Sequence, residues 1–148
     1  MKITEIKSEN IQKRKESLAT FLNASIEDID CTDEMEKIFS IDNEEYLVLT
    51  FDEAWEKTKD AIKELLCDSN PEFIYLHSTL YGTDTTENCL DTIRAIQDKK
   101  DPSLVENIIK NMSSYIEDAI EIDGMGFYLA SYDCKENEQG KYQIYRIC

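Results

Sequence analysis

Little in this chain marks a chemistry outright. Its 148 residues include one histidine, one tryptophan, two prolines and four glycines. A lone imidazole leaves no pair for a proton relay, and a structural zinc site asks for four Cys or His ligands at tight spacing. The five cysteines, Cys31, Cys67, Cys89, Cys134 and Cys148, are widely spread and form no Cys-x-x-Cys. An odd number without a secretory signal fits free thiols in a reducing compartment. The opening MKITEIKSEN lacks the apolar stretch of a signal peptide. No apolar run approaches the ~20 residues of a membrane span. The expectation is a cytoplasmic protein with no membrane contact, no metal and no cofactor.

Basic side chains are also scarce. Sixteen Lys and Arg stand against thirty-two Asp and Glu, a formal net charge of −16. Between Glu27 and Glu56 there are twelve acids and one base, Lys37. Such a surface is repelled by duplex DNA, which carries about one negative charge per ~1.7 Å of axis. It attracts a basic partner and speeds the encounter at low salt. The expected partner is therefore the basic surface of another protein, with no direct nucleic-acid contact.

What is present is enough for a core. Hydrophobic residues make up 41% of the chain, with eight tyrosines and five phenylalanines, which fits a folded protein. The length suits a single domain over 1–148 that needs no disulfide or metal staple.

The pattern along the chain predicts a helix over 9–23, carrying Ile11, Leu18, Phe21 and Leu22 on an incomplete apolar stripe. SIEDIDCTDE reads as a loop. Two apolar runs around DNEE predict an antiparallel hairpin over about 35–50. Thr50-Phe51-Asp52-Glu53 has the form of a capping box, with a hydroxyl at N-cap and a carboxylate at N3. The helix after it places Trp55, Thr58, Ala61, Ile62, Leu65 and Leu66 at three- and four-residue steps. Asn70-Pro71, Thr85 or Thr86, Asp101-Pro102 and Ser113 or Ser114 announce four more short helices. FIYL within the first of these leaves a strand open as an alternative.

Phe127 to Tyr132 and Tyr142 to Ile147 are aromatic-rich runs, and predict a second hairpin over about 126–147. Strands grouped in pairs without βαβ alternation indicate an α+β fold with an antiparallel sheet packed by several short helices.

The closing segment Asp123-Gly124-Met125-Gly126-Phe127-Tyr128-Leu129-Ala130-Ser131-Tyr132-Asp133 invites a functional reading. A dinucleotide loop needs a strand before its glycines and a helix after them; the order expected here is the reverse. Gly124 fits the left-handed residue that ends a helix, and Ser131-Tyr132-Asp133 fits a strand end. The motif residues Asp123, Gly124, Gly126, Ser131, Tyr132 and Asp133 are thus read as structural. Calcium fails as well: loops begun at Asp28 or Asp133 put Asp33 or Glu138 where an EF-hand requires glycine.

The segment Asp123 to Glu138, with Tyr142-Gln143-Ile144-Tyr145-Arg146, resembles the end of a group of small acidic phage and prophage proteins. Their closing pattern is similar to D-G-R-G-H-F-L-S-S-Y-D-G-E-E-N-E followed by Y-I-Y-R. Glu45 to Thr50 followed by Asp52-Glu53-Ala54 is also like the group's strand-to-helix join. Met125, Phe127 and Cys134 stand where the group has Arg, His and Gly. The resemblance covers about a third of the chain. It implies an accessory protein of a phage or mobile element, acting in the cytoplasm of the host cell, without implying an activity.

Charge and resemblance together give the functional expectation. Asp28, Asp30, Asp33, Glu34, Glu36, Asp42, Glu44, Glu45, Asp52, Glu53 and Glu56 would form an acidic face that imitates a phosphate lattice. Such a face suits an inhibitor of a host nucleic-acid-binding or defence protein, of anti-CRISPR or anti-restriction kind, and no catalytic residue is assigned. The alternatives are a small enzyme with its site near Gly124–Asp133, using His77, a cysteine or the Tyr132-Asp133 corner, and a phage structural or assembly component.

Overall fold

The computed structural model describes residues 3–33 and 37–148, with side chains from residue 10 onward. Its contacts divide the chain into two units, Met1–Thr58 with Asp123–Cys148, and Lys59–Ile122. The architecture is α+β with a five-stranded antiparallel sheet.

In the first unit, the sheet unit, helix α1 (Ile3–Leu22) precedes strands β1 (Asp30–Cys31), β2 (Ile38–Ile41) and β3 (Glu44–Thr50). Strands β4 (Asn137–Gln139) and β5 (Tyr142–Arg146) close the chain, and the sheet order is β1-β2-β3-β5-β4. One face carries Phe39, Tyr46, Val48, Tyr142 and Ile144, which pack with Leu18 and Ala19 of α1 and with Ile29. Alternate strand residues point to one face, so these five share a face, and Leu47, Leu49 and Tyr145 on the other are buried as well. The helix stops where Asn23 takes φ 53°, and the Ala24 N–H donates to the Ala19 carbonyl at 2.9 Å.

Two-residue turns set both hairpins. Asp42-Asn43 joins β2 to β3, with Asp42 at φ 53° and Ile41 facing Glu44. The turn is thus shorter than DNEE, and Glu44 and Glu45 belong to the strand. The expected start at Met35 lies outside the described residues. The acidic SIEDIDCTDE stretch is not all loop: it contains a 3-10 turn over Ile26–Asp28 and the short edge strand β1.

The second hairpin is shorter than the aromatic pattern implied. Gly140 at φ 61° and Lys141 make its turn, and Gln139 faces Tyr142. A two-residue turn fixes register, so the residues brought against β5 are Asn137, Glu138 and Gln139. Phe127 to Tyr132 is therefore not a strand. It is helix α7 (Met125–Leu129) followed by a turn, because β-propensity is decided by a paired, half-buried surface and not by side-chain type alone.

The capping box forms as read. The Glu53 N–H donates to the Thr50 hydroxyl at 3.2 Å, and the Thr50 N–H donates to the Glu53 carboxylate at 2.8 Å. It starts helix α2 (Phe51–Glu64).

The second unit, the helical unit, contains α3 (Pro71–Leu76), α4 (Thr86–Gln97), α5 (Pro102–Glu106) and most of α6 (Met112–Asp123). Each start has its cap. Asn70 accepts from the Glu72 N–H at 2.9 Å, Thr85 from the Asn88 N–H at 3.2 Å and Asp101 from the Ser103 N–H at 3.0 Å. For α6 the cap is Asn111, which accepts from the Ser114 N–H at 3.2 Å, two or three residues earlier than the serines suggested. FIYL is helical. The α5 helix ends at Glu106 because Ile109 pairs with Ser78 instead, and the Thr79 N–H donates to the Ile108 carbonyl at 2.8 Å. Ile74, Tyr75, Leu90, Ile93, Val105, Tyr115 and Ile116 are buried in this unit. The buried Gln97 amide donates to the Leu66 and Ser69 carbonyls at 2.9 and 2.8 Å.

Candidate functional site

The acidic stretch does not present all its charges. Glu53 sits at the first turn of α2, where its carboxylate meets two cations. Arg14 approaches Oε1 at 2.9 Å and Oε2 at 3.1 Å, and Lys37 approaches Oε2 at 3.1 Å. Arg14 is only 7% exposed. It also donates to the Val48 carbonyl, and its guanidinium lies 5.1 Å from the centre of the Tyr142 ring. Burial on its own would raise the Glu53 pKa. The hydrogen bonds from Arg14, the Thr50 N–H and Lys37 outweigh it and hold the carboxyl at about 2. Glu53 is a structural anion.

Two more of the expected face residues have local duties. Asp33 accepts from the Lys37 and Ile38 N–H groups at 2.8 and 2.9 Å, steering the chain into β2. Glu44 accepts from the Tyr46 hydroxyl at 2.6 Å and pairs with Arg146 at 3.2 Å. Burial, then the bond to Glu44, pushes the Tyr46 phenol up to about 12. Asp42 makes the hairpin turn while its side chain stays exposed. Glu34 and Glu36 lie outside the described residues. Asp28, Asp30, Asp52 and Glu56 are exposed and Glu45 is half-buried. No ion pair engages these five or Asp42 among the described residues.

The closing motif is a splice between α7 and the sheet. Gly124, at φ 79°, follows the last residue of α6 and precedes α7. The Met125 N–H donates to Glu136 Oε1 at 3.1 Å. Gly126 is buried, and a Cβ there would lie 2.6 Å from the Cys134 carbonyl oxygen and 2.8 Å from Glu136 Cγ. The glycine is required by the close approach of 134–136, not by a phosphate. Asp123 accepts from the Tyr128 hydroxyl at 3.0 Å, and Asp133 from the Lys135 N–H at 3.0 Å. The Ser131 hydroxyl donates to the Ile147 carbonyl at 3.1 Å, and the Tyr132 N–H to the Arg146 carbonyl at 3.2 Å. Tyr145 is fully buried with no partner for its hydroxyl among the described residues. Burial, with Glu136 adding to it, raises its pKa to about 12.

His77 belongs to the helical unit, not to the unit that holds the Gly124 turn. Its ring lies 4.9 Å from Phe73 and 5.4 Å from Tyr115, and Nε2 is 3.1 Å from Asp118 Oδ2. The ring fills an aromatic cluster at the edge of the helix packing, as a structural histidine does. Among the described residues no three His, Cys, Asp or Glu side chains are grouped to hold a metal ion, and no helix is long and apolar enough to cross a membrane.

An open groove of about 260 Å³ runs between α1 and the β4–β5 hairpin, lined by Lys13, Ser17, Thr20, Gln139, Lys141 and Tyr142 among others. It contains none of the expected site residues and no nucleophile beside a base.

The arrangement that sequence reading missed lies at the end of the sheet. Tyr132, taken for a strand end, has its ring 3.7 Å beneath the Arg146 guanidinium. Arg146 in turn pairs with Glu44 and donates from Nε to the Cys148 carbonyl at 2.9 Å. Tyr-x13-Arg carries no local spacing signal, since only the antiparallel return of β5 brings the pair together.

Comparison of the chain with protein-family models, with curated proteins and with solved structures finds no match.

Proposed function

We propose that this is an accessory binding protein of a phage or mobile element, an acidic inhibitor that docks on the basic surface of a host nucleic-acid-binding or defence protein. The observation that carries the reading is the surplus of unpaired carboxylates in the sheet unit. Among the described residues, Asp28, Asp30, Asp42, Glu45, Asp52 and Glu56 remain without an ion pair after Asp33, Glu44 and Glu53 have taken structural duties. Six uncompensated charges in one unit raise its self-repulsion, and a cationic partner relieves that cost. The docking face is therefore narrower than the stretch from 28 to 56, and its members are the carboxylates that no ion pair engages among the described residues.

A pull-down from host lysate with the reversal Asp28→Lys, Asp30→Lys, Glu56→Lys tests it. The expected result is capture of a nucleic-acid-binding protein by the parent chain, released by salt and by competing duplex DNA and lost in the variant. Circular dichroism of the variant should be unchanged, because all three side chains are exposed. Capture that survives the reversal, or recovery of nothing but further copies of the chain, overturns the reading.

A further inference from the structure

The acidic surplus accounts for attraction but not for an anchor, and strong protein interfaces concentrate their affinity on a few rigid aromatic and arginine positions. Exposed aromatic rings in the sheet unit are few. Among the described residues they are Phe51, Phe127 and Tyr132, at 53%, 53% and 59% exposure. Phe51 stacks on Trp55 and Phe127 packs edge-on against Tyr128, whereas Tyr132 is held by a cation and by the backbone of the last strand. Its N–H is bonded to the Arg146 carbonyl, the preceding Ser131 hydroxyl to the Ile147 carbonyl, and its ring is capped on one face by the Arg146 guanidinium.

That guanidinium is itself immobilised by Glu44 and by the Cys148 carbonyl, and Glu44 is held again by the Tyr46 hydroxyl. Three neighbouring segments thus carry a row: carboxylate, guanidinium, phenol ring. The ring is exposed to solvent yet has little freedom to lose on binding, which is the preorganised state that favours an aromatic anchor.

The charge around the row selects the occupant. Residues 42–45, 123–138 and 142–148 carry seven carboxylates and two bases, Lys135 and Arg146, of which Arg146 is already paired with Glu44. Asp133 stands next to Tyr132, and its charge adds to the raised pKa of Tyr46. A planar cation laid on the uncapped part of the ring would meet a π face within an acidic segment of the chain. A guanidinium suits this better than an ammonium, because it is planar, weakly hydrated and able to bond a carboxylate with two parallel N–H groups.

We infer that Tyr132, clamped by Arg146 and Glu44, is the anchor point for an arginine side chain of the partner protein. This deepens the basic-partner reading and rests on it. The row supplies specificity for arginine, while the free carboxylates supply long-range attraction.

Fluorescein-labelled hexa-arginine and hexa-lysine peptides, titrated with the full chain at low salt and followed by anisotropy, test the inference. The parent chain should bind hexa-arginine more tightly than hexa-lysine by roughly two- to fivefold. Tyr132→Leu should bring the two affinities together without abolishing salt-sensitive binding. Tyr81→Leu, which removes an equally exposed tyrosine of the helical unit, should leave the ratio as it was. Equal affinities for the two peptides, or a preference that persists in Tyr132→Leu, overturns the anchor and leaves the basic-partner reading standing. No binding of either peptide overturns both.

Discussion

The two units hold their charges in opposite ways. In the sheet unit ionic groups are wired across the fold. Arg14 reaches Val48 and Glu53, which lie 34 and 39 residues further along the chain, and Arg146 reaches Glu44 across the sheet. In the helical unit Arg94–Asp91 and Lys100–Asp68 lie in the open, with side chains half exposed or more, while Lys63–Glu106 and the His77–Asp118 contact join distant residues with at least one partner more than a third exposed. Order there comes from caps that bond two or three residues away, from apolar packing and from long-range neutral bonds such as those of the buried Gln97 amide to the Leu66 and Ser69 carbonyls. Exposed pairs contribute about 0–1 kcal/mol each, whereas a pair withdrawn from solvent is costly to break because it strands its partner. The number of charges therefore says little about their structural weight; depth and connectivity decide it.

The strongest way to break that contrast is at Glu53. Glu53→Gln should destabilise the protein by about 2–4 kcal/mol, because it leaves Arg14 buried without its counter-ion and weakens the cap of α2. Urea denaturation, with stability read from the midpoint and slope, measures this. The same substitution should change the pH profile. The Glu53 carboxyl is held at about 2 in the fold against an ordinary 4.5, so its contribution is complete above about pH 4.5. It fades as the pH falls through that value and is gone below about 2. The parent should lose stability across that window more steeply than Glu53→Gln. Equal acid slopes would mean that the network carries no weight.

Next in size is Gly126→Ala. Within a helix such a change ordinarily stabilises by about 0.5–1 kcal/mol. Here the added methyl would meet the Cys134 carbonyl oxygen at 2.6 Å and the Lys135 carbonyl carbon at 2.9 Å. Both are backbone atoms, so the strap must shift, and the expected net effect is a loss of about 1–3 kcal/mol. A rise in melting temperature would show that the strap between α7 and β4 yields freely.

The smallest expected effect is in the helical unit. Thr85→Ala removes the cap of α4 and should cost about 1 kcal/mol, with no change in the acid slope, since no ionic network is touched. Hydrogen exchange should report faster opening at Cys89 and its neighbours. A loss as large as that of Glu53→Gln would erase the distinction between the two units.

The same contrast explains what was legible beforehand. The capping box at Thr50–Glu53, the Asn70-Pro71 and Asp101-Pro102 starts and the Thr85 cap all act within three residues, and local chemistry suffices to read them. The β2–β3 hairpin was legible for the same reason, from Asp42-Asn43 between apolar runs. The helix over Met125–Leu129 was not, because Phe-Tyr-Leu suits a strand wherever a strand edge is offered. The register set at Gly140-Lys141 gives that edge to Asn137–Gln139 instead. The acidic face was legible only as a total. Which carboxylates are free depends on where Arg14, Lys37 and Arg146 end up, and each is brought in by packing.

Composition and local pattern by themselves determined the α+β class, the starts of α2, α3, α4 and α5, the hairpin at Asp42-Asn43 and the acidic excess, because these follow from side-chain chemistry over a few residues. Only the tertiary structure decided that Glu53 is the half-buried anchor of the buried Arg14, that Gly126 exists to admit a neighbouring strap and that Tyr132 stands beneath Arg146. Each of those depends on segments far apart in the chain meeting at van der Waals distance, and no local spacing encodes such a meeting.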